Sequence, residues 1–264
     1  MILSRRGAVK AILTFLLLAV LAVAAFVFAY FVSRDGQSVR PSVTVGVILS
    51  ALALLSIPLN VYADGKAKLV AEGEKFVRQK LCPERFIEAY NGKINEKNVV
   101  CRPDIDVLEL LITAYRLGLD KRGEYGAILE MKKLPGRFAA TRAMIFEAEY
   151  RYAEGDVAEG DRLLEEAIET KPTSSVIHAS ADIARKTARA MAVRDGNAAD
   201  YHESVIGRTG VFKADNASRL LSAWDLYQIY SSSNDKEKAK KYLEECASSS
   251  GKTAIKSRAG SLIR

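Results

Sequence analysis

Histidine is almost missing from this 264-residue chain, which has only His178 and His202. Neither has a nearby cysteine or a spacing that builds a metal site, and each is read as a packing or solvent-facing side chain. Cysteine is equally sparse. Cys82, Cys101 and Cys246 form an odd set without metal-ligand spacing, which suits a reducing compartment. A Cys82–Cys101 bridge would require that part of the chain to face an oxidising one. Sustained alternation of β-branched and polar residues is absent beyond residue 64, which excludes a sheet there and leaves an all-α reading. "CASSSGKT" (Cys246–Thr253) nearly spells a phosphate-binding loop, but Cys246 stands where the motif needs glycine, and no strand precedes it. The carboxylate pairs Glu165-Glu166 and Glu244-Glu245 are adjacent, and adjacent helical residues do not converge on one point. The expectation is a binding protein without catalytic residues, metal or cofactor.

Charge is missing in two places. Residues 11–32 and 42–63 contain no Asp, Glu, Lys, Arg or His. A helix over either run would be about 33 Å long, enough for a hydrocarbon core of roughly 30 Å. Ser33–Pro41 alone separates them, so the runs predict an N-terminal transmembrane helical hairpin over 1–63, with Pro58 placed to kink the second span. A cleaved leader is the rival reading. "SRRGAVK" (Ser4–Lys10) resembles a twin-arginine signal, yet Ala8 and Val9 replace its bulky pair and a second span follows at once. Arg5, Arg6, Lys10, Lys66, Lys68, Lys75, Arg78 and Lys80 flank the spans outside the hairpin loop, which holds only Arg34 and Arg40. By the positive-inside rule both termini are cytoplasmic, in a two-pass protein of a bacterial inner or plasma membrane.

The net charge of +7 does not mark a nucleic-acid footprint. The part before Asp64 contributes +4, and the remaining 34 basic and 31 acidic residues nearly balance. From Ser248 onward come Lys252, Lys256, Arg258 and Arg264 without an acid. Residues 248–264 are read as a basic, flexible tail, solvated and able to touch anionic lipid headgroups weakly.

Residues 64–103 read as a helical connector. Leu69, Val70, Phe76, Val77 and Leu81 make a helical stripe, Cys82-Pro83 breaks it, "PERFIEAYNGKI" starts a new helix at Pro83, and Asn95–Pro103 is a polar linker. Beyond it the chain repeats. In "TRAMIFEAEYRYAEGDVAEGDRLLEEAIETKP", beginning at Thr141, Ala148, Gly155, Asp156, Gly160, Leu164, Ala167 and Pro172 supply small residues, a tight turn and a stop. A second such unit begins at Leu220, with Leu226, Tyr230, Asn234, Asp235, Ala239, Leu243 and Cys246. Weaker units start at Ile105 and near Asp182, where Glu124, Tyr201 and Arg208 depart from the pattern. These residues resemble the tetratricopeptide repeat, a helix–turn–helix unit of 34 residues. The resemblance covers roughly residues 105–247, within a repeat domain of about four helix pairs over 104–247. The layout of a membrane hairpin followed by such repeats is similar to bacterial two-pass proteins of the HemY type. A generic helical bundle is the plainer alternative.

The resemblance implies an α-solenoid whose first helices line a groove for an extended or helical peptide. It points to Arg116, Arg142, Glu149, Tyr152, Trp224 and Gln228 as groove residues. Trp224, the lone tryptophan, suits an interface anchor or, equally, packing between helices. The sequence thus predicts a membrane-anchored cytoplasmic scaffold that binds a protein partner, with the bilayer as its other contact. The rival reading, a small subunit whose hairpin transports or senses, has no ionisable residue in either span to support it.

Overall fold

The computed structural model describes residues 5–34, 40–95, 104–170, 177–210 and 213–263. Within the long first helices it describes the side chains of 13–28, 30, 31 and 43–54. Described side chains resume at Lys66, with those of 93–95 and 177–182 again outside. The polar linker over Asn95–Pro103 is undescribed after Asn95, and Cys101, Pro172 and the His178 side chain also lie outside the described set. Every regular element among the described residues is a helix. The chain divides into two compact units, Met1–Leu69 with Lys93–Cys101, and Val70–Gly92 with Arg102–Arg264.

The first unit is built on α1 (Arg5–Arg34) and α2 (Arg40–Gly73). Both uncharged runs fall inside these helices, and Pro58 lies within α2 without ending it. Most described apolar side chains of these helices are exposed, from Val43 at 39% to Leu54 at 70%, while Ala22 and Ala53 are buried. Gly46 meets the Phe26 ring so closely that an added Cβ would sit 2.9 Å from Cζ. Among the described residues no helix is long and apolar enough to cross a membrane.

The second unit opens with a π-helical turn over Glu74–Gln79, where the Lys80 amide donates to the Lys75 carbonyl at 2.9 Å. Leu81 then takes a left-handed conformation (φ 52°) and α3 (Pro83–Asn95) follows. The stretch expected to be a connector contributes Val77, Leu81 and Phe86 to the core, each at most 2% exposed. Its helix end, closed locally by the Cys82 amide to the Phe76 carbonyl at 2.7 Å, also takes distant partners. Asn216 Nδ2 donates to the Gln79 carbonyl at 2.8 Å, and the Lys252 amide donates to Leu81 O at 2.9 Å.

Four helix–turn–helix pairs succeed one another: α4 (Ile105–Leu117) with α5 (Lys121–Lys132), α6 (Arg137–Ala153) with α7 (Val157–Glu169), α8 (Ile177–Arg194) with α9 (Ala198–Gly207), and α10 (Asn216–Ser232) with α11 (Lys236–Ser248). One turn recurs in all four. Leu119, Gly155, Gly196 and Asn234 have positive φ, and Asp120, Asp156, Asn197 or Asp235 follows. The amide of that following residue donates five residues back in each case, to Tyr115, Arg151, Ala192 and Tyr230, at 2.8–2.9 Å. Three of the four then cap the second helix through their carboxylates, Asp120 to Gly123 N, Asp156 to Glu159 N and Asp235 to Lys238 N. Nine residues after the left-handed position stands a buried aliphatic side chain in every pair: Ile128, Leu164, Val205 and Leu243. Each second helix packs on the first helix of the next pair, α6 also packs on α8, and α4 touches α10.

Residues 254–263 depart from the expected flexible tail, because they form α12 (Ala254–Ile263) packed on α11. The reason is an apolar stripe at helical spacing. Ile255 and Ala259 are fully buried, and Thr253 Oγ1 accepts the Lys256 amide at the helix start.

Candidate functional site: a buried ion-pair network on the first helices

The first helices of the four pairs converge on a network of charges. Arg116 on α4 donates from Nε to Glu124 Oε1 at 2.6 Å and from Nη1 to Glu149 Oε2 at 2.8 Å. Glu149 on α6 also faces Arg189 Nε of α8 at 3.6 Å, and Arg189 Nη2 reaches Asp225 Oδ2 of α10 at 3.2 Å. A second cluster lies beside it. Glu109 on α4 accepts Lys186 Nζ at 2.9 Å and pairs with Arg142 Nη1 at 2.7 Å, while Asp106 stands 3.7 Å from Arg142. The Arg142 guanidinium lies 4.4 Å above the Phe138 ring. At the far end His202 is buried, its Nδ1 3.1 Å from Ser222 Oγ and its Nε2 3.4 Å from Asp225 Oδ2.

Arg116, Glu149 and His202 are shielded from water, and their neighbours set their charge states. Burial alone would lower the Arg116 pKa, but the Glu124 and Glu149 carboxylates outweigh it and hold the guanidinium protonated more firmly than usual. Burial alone would raise Glu149, and Arg189 and Arg116 outweigh it, keeping its carboxyl below the ordinary range. His202 shifts the other way. Burial lowers its pKa, Arg189 adds to that, and Asp225 and Glu149 only partly oppose it.

Three of the six sequence-predicted groove residues, Arg116, Arg142 and Glu149, come together here, with side chains 8–12% exposed. Their charges are engaged by neighbouring helices. Tyr152 is elsewhere, its hydroxyl donating to Asp161 Oδ1 at 2.8 Å and its ring against Gly160. Trp224 is 8% exposed with its ring 5.2 Å from Tyr227, so packing rather than display describes it. Gln228 is exposed, and its carbonyl accepts Ser232 Oγ within α10.

The residues that complete the network, Glu109, Glu124, Lys186, Arg189, Asp225 and His202, escape sequence reasoning. A signal does exist: Glu109 interrupts the apolar run "VLELLI" at a position where a solvated face would not fall. Among the described residues no group of histidine, cysteine and carboxylate side chains has the arrangement to hold a metal ion.

No protein-family model, curated protein or solved structure matches the chain.

Proposed function

We propose that this chain is a membrane-anchored scaffold of tetratricopeptide-like repeats that binds a protein partner. The recurrence of one turn in four successive helix pairs supports the repeat half most strongly. Identical amide bonds, a left-handed residue and an Asp or Asn at the same offset are what a repeat unit of this kind needs to reverse the chain four times. The anchor half is supported by the uncharged runs 11–32 and 42–63, most of whose described apolar side chains are exposed. A partner of this scaffold meets the exposed rims of the first helices, at positions such as Gln228, because Arg116, Arg142 and Glu149 are already paired.

Two measurements test the halves separately. The full chain should resist alkaline extraction from membranes, and deletion of 1–63 should release it; extraction of the full chain sinks the anchor. A photocrosslinker at Gln228 should give one discrete adduct in cells, lost when residues 104–247 are replaced by an unrelated helical domain carrying the same crosslinker. Adducts that survive the replacement sink the scaffold.

A further inference from the structure

The positive charge of the chain beyond residue 63 is concentrated in α11, α12 and the residues beside them. Residues 236–264 hold eight lysines and arginines against three glutamates, whereas 64–235 hold 26 against 28. On α12 the apolar stripe that buries Ile255 and Ala259 continues to Leu262, which is 43% exposed beside Ile263 at 46%. These two side chains stand over a hollow of about 400 Å³ floored by Ala239 and Leu243 and edged by Lys236 and Lys240, with no carboxylate among its lining residues. Lys240 meets Glu244 only at 3.9 Å in full solvent, and Lys236 has no carboxylate at ion-pair distance among the described residues.

We propose that this corner of α11 and α12 docks on an anionic lipid surface. Lysines around an open hollow attract anionic headgroups, and half-exposed aliphatic side chains at a helix end enter the headgroup–acyl boundary. Charge complementarity selects this occupant: the hollow is edged by two lysines and apolar side chains, and no carboxylate lines it. The inference rests on the anchored reading above, since attachment through α1 and α2 keeps the patch at high effective concentration near lipid. Docking there turns the end of the repeat array toward the bilayer.

The full chain is reconstituted into nanodiscs of phosphatidylcholine alone and of phosphatidylcholine with phosphatidylglycerol, and amide hydrogen exchange is followed over 254–263. Exchange should slow at least about fivefold in the anionic discs, the worth of one lysine near such a surface, and high salt should reverse it. Lys236→Gln with Lys240→Gln, both exposed, should remove the difference, and Leu262→Ser should reduce it. Equal exchange in the two discs overturns the proposal. So does stronger protection by added polyglutamate in neutral discs, which points to an acidic protein, or protection that appears only with two copies per disc. Failure to enter discs speaks against the anchor instead. The free chain is then mixed with vesicles of the same two compositions, where selective protection by the anionic ones supports the lipid patch and its absence overturns it.

Discussion

Arg116 Nη1 on α4 lies 2.8 Å from Glu149 Oε2 on α6, a contact between residues 33 positions apart that joins two repeat units through their buried faces. The same arginine holds Glu124 of its own unit at 2.6 Å, so one guanidinium ties a unit internally and to its successor. Paired, such a group offsets its desolvation; deprived of partners, it does not.

Truncating one member of the network should cost more than replacing the set. Glu149→Ala leaves Arg116 with Glu124 alone and Arg189 with Asp225 alone, with an expected loss of about 3 kcal/mol, since the buried Arg116 loses one of its two carboxylates. Arg116→Met with Glu124→Leu and Glu149→Leu should fall nearer the wild type. Chemical denaturation of the three proteins checks the order.

Acid should weaken the array in two steps. His202 is held neutral by burial, so its folded pKa lies below the unfolded value of about 6.5. Below that value the unfolded chain takes up a proton the folded one refuses, and stability falls with pH until the folded pKa is passed. His202→Gln should flatten this first step. Glu149, also lowered, gives its stabilisation above the ordinary carboxylate range and loses it as pH falls towards its own depressed pKa. Thermal melts between neutral and acid pH, with each single variant, separate the two.

Leu119 occupies the left-handed turn position that glycine fills in two other units, at φ 53°. A side chain there costs about 1–2 kcal/mol, and Leu119 is partly exposed. Leu119→Gly should therefore raise the denaturation midpoint, and Gly155→Ala, at φ 82°, should lower it by a similar amount.

Thiol labelling reads the fold directly. Burial pushes Cys246 up to about 12, with Glu245 and Asp225 adding to it, and its side chain has no exposed surface. It should label only on unfolding. Cys82 is partly exposed beside the Leu81 turn. Gly251→Ala would place a Cβ 2.6 Å from the Leu81 carbonyl oxygen, at φ +98°, so this variant should speed Cys82 labelling before any global loss of structure. An unchanged rate would show that the two segments move independently.

The repeat pairs were legible because their determinants are local. Gly155-Asp156 and Asn234-Asp235 announce the turns, and Leu164 and Leu243 sit at a fixed offset behind them. The first unit was harder to see, since Leu119 fills the left-handed position at a cost that packing must offset. The ion-pair network was not legible. Lys186 and Glu109 are 77 residues apart, and nothing in the spacing of either specifies the other. The sequence marks Arg116, Arg142 and Glu149 as groove residues of the first helices, but whether that face is open or filled depends on how successive pairs pack. Contact between α4 and α10 decides that, and it is set by packing along the whole array. The docking of α12 is intermediate: Ile255, Ala259 and Leu262 form a readable stripe, hidden in sequence by the basic residues around them.

The clasp at Leu81 places a condition on synthesis. Its carbonyl waits for the amide of Lys252, which is translated 171 residues later, and the Gln79 carbonyl waits for Asn216. When α1 and α2 leave the ribosome, the segment that follows them has only its local bonds, the Lys80 amide to the Lys75 carbonyl and the Cys82 amide to the Phe76 carbonyl at 2.7 Å, to close its helix end. A nascent chain held at residue 250 would contain every repeat pair yet leave this junction open. The Lys252 amide thus ties a segment made late to the turn that opens this unit.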